Sequence, residues 1–307
     1  MNENAITTTN LTKFFGDNKA LDNLTFEVKK GELFGLVGPD GAGKTTTMRI
    51  LTGIMLPSGG EAQVSGFTLP KQSSFIRDKI GYMSQRFGLY EDLTVIENIN
   101  FYADIYKVPA GERASRIEEL LGFSNLTPFK NRLAGNLSGG MKQKLGLACA
   151  LIHTPEVLFL DEPTNGVDPT SRRDFWRILY QLLKGGMTIL VSTAYLDEAE
   201  RCNRVGLIYK GRLLIKDTPA DIKKTIKFPM VEIIVDDIHK AKRVISKIQD
   251  VKSVSVYGEK IHALLENKKT ADTISAEFKK NGINIKALKQ VVPSLEDVFI
   301  NMVEAHG

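Results

Sequence analysis

The sequence predicts an α/β protein with a central, mostly parallel sheet, an inserted helical subdomain and a small α+β domain in its last part. Three observations carry that prediction. Glu32–Val37, Glu156–Leu160 and Thr188–Ser192 are short apolar runs without alternation, as expected of strands covered on both faces. Helix-like segments separate them, the alternation that builds a parallel sheet from crossover units. Beyond residue 220 the pattern changes to strand, helix, strand, strand, helix, strand, the order of a split βαβ domain.

In chain order, Leu21–Val28 alternates like a half-buried strand. Glu32–Val37 then runs into a Gly-rich turn and a helix expected from Lys44 to about Leu56. From Asn98 to about Asn136 the strand signal fades into helical patterns, placing a helical subdomain at about 98–145. Past Asp197, LDEAERC reads as helix and VGLIYKGRLLI as a hairpin turning at Lys210-Gly211. A boundary near Thr218–Phe228 divides the chain into 1–220 and 221–307. In the second part strands are expected at 229–235, 251–257, 260–266 and 283–290, with helices at 237–249, 269–280 and 294–304.

Composition excludes several classes. With 307 residues, 42% hydrophobic and 25% charged, the chain is neither disordered nor fibrous and suits about two domains. The net charge of +5 is spread without a basic arm, so nucleic acid is not an expected partner. The longest charge-free runs, Leu145–Pro155 and Gly185–Leu196, are too short to span a bilayer, and MNENAITTTN has no signal-peptide pattern. Cys149 and Cys202 lack metal-ligand spacing, which predicts free thiols in a reducing compartment. His239, His262 and His306 are scattered and read as surface residues.

The chemistry concentrates in two places. Gly38-Pro39-Asp40-Gly41-Ala42-Gly43-Lys44-Thr45, followed by Thr46, matches G-x-x-x-x-G-K-[ST] between a strand and a helix. Glycines 38, 41 and 43 let backbone N–H groups converge on phosphate oxygens, and the helix adds its N-terminal dipole. Lys44 is expected to reach the β- and γ-phosphates and Thr45 to ligate Mg²⁺. The second place is Val157–Glu162, an apolar strand ending in two acids at the carboxyl edge of the sheet. Asp161 is expected in the Mg²⁺ shell, and Glu162 to orient or deprotonate an attacking water.

Leu137-Ser138-Gly139-Gly140-Met141-Lys142-Gln143, ahead of Asp161, resembles the signature of ABC (ATP-binding cassette) ATPases. The resemblance covers the whole chain, with one cassette at about 5–220. It implies an ABC cassette fold with an additional antiparallel β part, ATP and Mg²⁺ as ligands, and head-to-tail pairing with a second cassette. There Ser138, Gly139 and Gly140 complete the partner's site. Gln85 aligns with the glutamine that touches Mg²⁺ and the attacking water. Phe15 aligns with the aromatic that stacks on adenine, with Phe14 as a neighbouring candidate. Asp168, in Asn165-Gly-Val-Asp168-Pro, aligns with the loop bridging two cassettes. The module ending in Pro293–Phe299 is similar to the C-terminal domain of ATP-binding subunits from bacterial drug exporters. It implies a separate integral membrane permease of the ABC-2 type, docked around Arg86–Val108, at the cytoplasmic face of the membrane. One position departs from the family: Ala194 stands where a switch histidine holds the γ-phosphate. That predicts ATP binding with slowed hydrolysis, or a nucleotide-gated scaffold with little turnover.

Overall fold

The computed structural model describes residues 3–85 and 88–306, and the chain divides into two compact units between Asp217 and Thr218. The first unit runs β1 (Asn4–Phe15), β2 (Asn18–Lys29), β3 (Leu33–Val37), α1 (Lys44–Leu51), β4 (Gly59–Val64), β5 (Phe67–Leu69) and β6 (Ile80–Met83). It continues with α2 (Val95–Ile105), α3 (Ala110–Phe123), α4 (Gly139–Leu151), β7 (Val157–Asp161), α5 (Pro169–Lys184), β8 (Thr188–Thr193), α6 (Leu196–Ala199), β9 (Arg204–Tyr209) and β10 (Arg212–Asp217).

Two sheets face each other in this unit. The larger has the order β10-β9-β3-β8-β7-β6 and is parallel except for the β9–β10 hairpin. Its strands β3, β7 and β8 are buried along their whole length, which is why their sequences do not alternate. The smaller, β2-β1-β4-β5, is antiparallel. Phe26 of β2 stacks on Phe34 of β3 with ring centroids 5.5 Å apart, joining the sheets. Met48, Ile50 and Leu51 of α1 share that core with Leu21, Leu24, Phe159 and Leu190.

The expected helix beyond Lys44 ends at Leu51 rather than near Leu56. Thr52 returns its hydroxyl to the Met48 carbonyl, and the amides of Ile54 and Met55 both bond the Arg49 carbonyl, turning the chain back. The helical part, α2 to α4, has its own core of Val95, Ile99, Ile117 and Leu121 against Leu145 and Cys149. Its first helix starts at Val95, where Thr94 and Glu97 form a reciprocal capping box.

The second unit contains α7 (Pro219–Lys223), β11 (Met230–Val235), α8 (Ile238–Ile245), β12 (Val251–Tyr257), β13 (Lys260–Leu265), α9 (Thr270–Lys280), β14 (Ile285–Val291) and α10 (Leu295–His306). Its antiparallel sheet has the order β12-β13-β11-β14. One face packs Ile233, Ile261 and Ala263 against Ile245, Ile274 and Phe278. The other carries a polar cluster that corrects the reading of His262 as a surface residue. His262 Nδ1 lies 2.9 Å from Asp297 Oδ1 and its Nε2 3.4 Å from Glu232 Oε2, with the ring largely buried. His239 is exposed; the side chain of His306 lies outside the described residues. Cys149 and Cys202 are buried free thiols, and burial pushes both upward from the ordinary thiol range.

Candidate functional site

The loop between β3 and α1 wraps the Lys44 side chain. Its ammonium donates to the carbonyls of Gly38 (2.8 Å) and Pro39 (3.0 Å) and sits 3.1 Å from Glu162 Oε1. Gly43 caps α1 at φ 106°, and a Cβ there would approach the Ala20 carbonyl at 2.8 Å, so only glycine fits. Gly38 serves the loop differently from the phosphate-binding role its motif position predicts. Its N–H donates to the Thr193 carbonyl, and a Cβ would lie 2.1 Å from the Ile208 carbonyl. It is a close-packing position whose amide is already used.

Beside Lys44, Asp161 ends β7 almost fully buried. Its Oδ1 accepts from Ser192 Oγ (2.6 Å) and Thr45 Oγ1 (3.1 Å), while its Oδ2 is buried with no hydrogen-bond partner among the described residues. Burial pushes the carboxyl above its ordinary value, against the hydrogen bonds from Ser192 and Thr45. An orphaned carboxylate oxygen next to a threonine hydroxyl, with the Gln85 amide close by, is a hard oxygen donor set that suits Mg²⁺. Tyr82 of β6, pushed up to about 12 by burial and then by Asp161, stays a neutral phenol.

Glu162 follows at φ 49°, a left-handed conformation rare outside glycine. Its N–H is held by Ser192 Oγ at 3.0 Å. Gln85 Nε2 (2.9 Å) and Asn165 Nδ2 (3.3 Å) both donate to its Oε2. Lys44, Thr45, Thr46, Asp40, Gly41, Gly43, Gln85, Glu162 and Phe15 line one cavity of about 380 Å³, together with Asn18 and Ala20. Phe15 lies at that cavity and Phe14 does not. Asn18, Ala20 and Ser192 are the positions sequence reasoning missed. Asn18 and Ala20 follow the KFFG turn in β2, and Ser192 sits in an apolar strand whose pattern signals only burial.

Other expected residues lie elsewhere. Ser138 and Gly139 are exposed at the start of α4, where Ser138 accepts from the Met141 amide. Gly140 lets Ser171 approach, since a Cβ would meet it at 2.4 Å. Asp168 caps α5, accepting from the amides of Thr170 and Ser171, both at 3.0 Å, and these bonds hold its carboxyl below the usual range. Pro39 and Ala42 shape the loop through their backbones. In the 86–108 segment the aromatics are partly used internally. Tyr90 packs edge-on to Phe101, Tyr106 stacks on His153, and Arg86 and Phe87 fall outside the described residues.

Residues 21–165 match the ABC transporter family, and residues 218–303 match the family described as ATP-binding protein DrrA1-3-like, C-terminal domain. The chain is 34% identical to the daunorubicin resistance ATP-binding protein DrrA2 of Streptomyces coeruleorubidus, over 95% of this chain and 92% of that one. The chain belongs to the ABC transporter ATP-binding proteins. A further ABC relative, the probable multidrug ABC transporter ATP-binding protein YbhF of Escherichia coli (strain K12), is 42% identical over the whole chain, which spans 53% of that protein's length. Among solved structures, the ATP-binding cassette MJ0796, in a dimeric post-hydrolysis state bound to ADP and Pi, superposes with a TM-score of 0.63 at 28% identity. It covers 69% of this chain and 98% of its own.

The cassette's last feature is Ala194, just past β8. Ala194 lines a cavity of about 240 Å³ together with Asp40, Glu162, Thr164, Asn165, Thr193 and Tyr195. The side chain at this position therefore borders the same acid that lines the phosphate-loop cavity.

Proposed function

We propose that this chain binds ATP with Mg²⁺ and hydrolyses it slowly to power a separate membrane permease. The observation that carries the reading is the convergence of Lys44, Thr45, Asp161 and Glu162, with the Asp161 Oδ2 atom left without a partner among the described residues. Phe15 stacks on adenine, and the loop amides with Lys44 bind the phosphates. Bound Mg²⁺ would offset charge on the phosphate oxygens from Thr45, Asp161 and Gln85. Glu162 orients or deprotonates the attacking water.

Turnover is slow because Ala194 offers the γ-phosphate no hydrogen bond. The same methyl group favours a second reading, a nucleotide-gated scaffold that cycles little. Ser138 to Gly140 and Asp168 act across a head-to-tail pair with a second cassette, either another copy or a related subunit. This chain sits on the membrane's cytoplasmic face and drives an ABC-2-type permease that exports drugs or other hydrophobic compounds; the names of the relatives, multidrug transport and daunorubicin resistance, support the drug cargo. The permease contacts the 86–108 segment.

Equilibrium binding of ATP to the full chain, with and without Mg²⁺, tests the site. Lys44→Ala is expected to weaken binding about 10- to 100-fold, since it removes a charge-assisted contact to the phosphates. Unchanged affinity in that variant would place ATP elsewhere and defeat the reading.

A further inference from the structure

Among the described residues, three groups hold the Glu162 carboxylate: Lys44 on Oε1, and Gln85 and Asn165 on Oε2. Two of them are needed elsewhere once nucleotide binds. Lys44 must turn to the phosphates and Gln85 to the metal, if the proposed function above is right. Asn165 is assigned to neither the phosphates nor the metal in that function. Its other amide atom, Oδ1, accepts from the Tyr195 hydroxyl at 3.4 Å. The orientation of the amide is therefore fixed by chemistry at both ends: a hydroxyl donates to its oxygen, and its nitrogen faces a carboxylate. The reverse orientation would set two acceptor oxygens against each other. Both bonds are long, as is usual before a catalytic site tightens around its substrate.

The two loops that carry these side chains are tied together from beneath. Glu198 is fully buried and accepts from Thr164 Oγ1 (2.5 Å), beside Asn165, and from Thr193 Oγ1 (2.7 Å), close to Tyr195. Arg172 lies 3.5 Å from the same carboxylate, and its guanidinium covers the Tyr195 ring at 4.6 Å from the centroid. Tyr195 is thus held by its ring, and its hydroxyl is aimed across the Ala194 cavity.

We propose that Tyr195 and Asn165 form a relay that positions Glu162 against the attacking water, keeping the carboxylate in place in a cassette that lacks the switch histidine. They are positioning residues; neither touches nucleotide in this reading. The relay rests on Glu162 being the water-orienting acid.

The test uses the full chain with Mg²⁺–ATP, in both the natural and the Ala194→His background. Phosphate release gives kcat and KM, and a fluorescent ATP analogue gives Kd. Tyr195→Phe and Asn165→Ala are each expected to lower kcat about tenfold, with KM and Kd within about twofold. The double variant should be no slower than Asn165→Ala alone, because the hydroxyl acts only through the amide. An unchanged kcat in Tyr195→Phe, or a double variant that loses the product of the two single losses, overturns the relay alone. No ATP binding by the natural chain, no turnover in either background, or full turnover in Glu162→Gln overturns the proposed function and the relay with it.

Discussion

At the scale of one residue, the proposed brake on turnover is Ala194. The cavity of about 240 Å³ beside it borders Glu162 and Asp40, so an imidazole at 194 would have room toward the phosphate-loop pocket. One preorganised donor on a developing charge in a dry site is worth ~2–4 kcal/mol, or roughly 10²–10³ in rate. Ala194→His should therefore raise kcat by roughly that factor while leaving ATP affinity nearly unchanged. Phosphate release from the purified chain measures it; a variant no faster than the natural protein shows that the methyl group is not what limits turnover. The motif around Lys44 is legible in the sequence because its chemistry sits in consecutive residues. The Tyr195–Asn165–Glu162 chain is not, because the Tyr195–Asn165 bond joins loops 30 residues apart, and spacing alone does not reveal which loop ends meet.

Among the elements, the β11–β13–α10 cluster has a measurable pH signature. Hydrogen bonds from Lys260 first, then Lys289, outweigh burial and hold the Glu232 carboxyl at about 2, against an ordinary 4.5. A folded value below the unfolded one means the stabilisation is present above about 4.5 and is lost as the pH falls toward 2. Asp297 moves the same way: burial pushes it up, but Ser294 and His262 together bring it below its ordinary range. Urea unfolding of the full chain, read by pulse hydrogen exchange over residues 230–291, should show stability falling through that window. Glu232→Gln should flatten the fall, and parallel profiles would contradict the assignment. The strand and helix order of this unit is readable from periodicity. His262 escapes such a reading because its partners come from β11 and α10, 30 and 35 residues away. β1 carries too weak a pattern to be read. Register shifts between Asn4 and Ile6, and again between Thr8 and Phe14, break its alternation, and its buried positions include Thr8, bonded to Phe26.

At the scale of the whole molecule, the start of α4 stands exposed. Ser138 and Gly139 open α4 with their N-terminal end toward solvent and line no part of the Lys44 cavity. A helix start with an exposed hydroxyl and small residues is suited to an anion brought by another molecule. If that anion is the γ-phosphate of a second cassette, ATP should drive the chain from monomer to dimer. Glu162→Gln should make the dimer persist, because the nucleotide is not consumed. Adding Ser138→Arg puts a bulky side chain into the contact without touching the chain's own phosphate loop. Analytical ultracentrifugation of Glu162→Gln with Mg²⁺–ATP should then give a dimer. The Ser138→Arg, Glu162→Gln double variant should stay monomeric while binding ATP with unchanged affinity. A dimer that tolerates Ser138→Arg would exclude the head-to-tail arrangement. Loss of ATP affinity in the same variant would instead mean that the signature serves its own nucleotide, a geometry at odds with its separation from the Lys44 cavity.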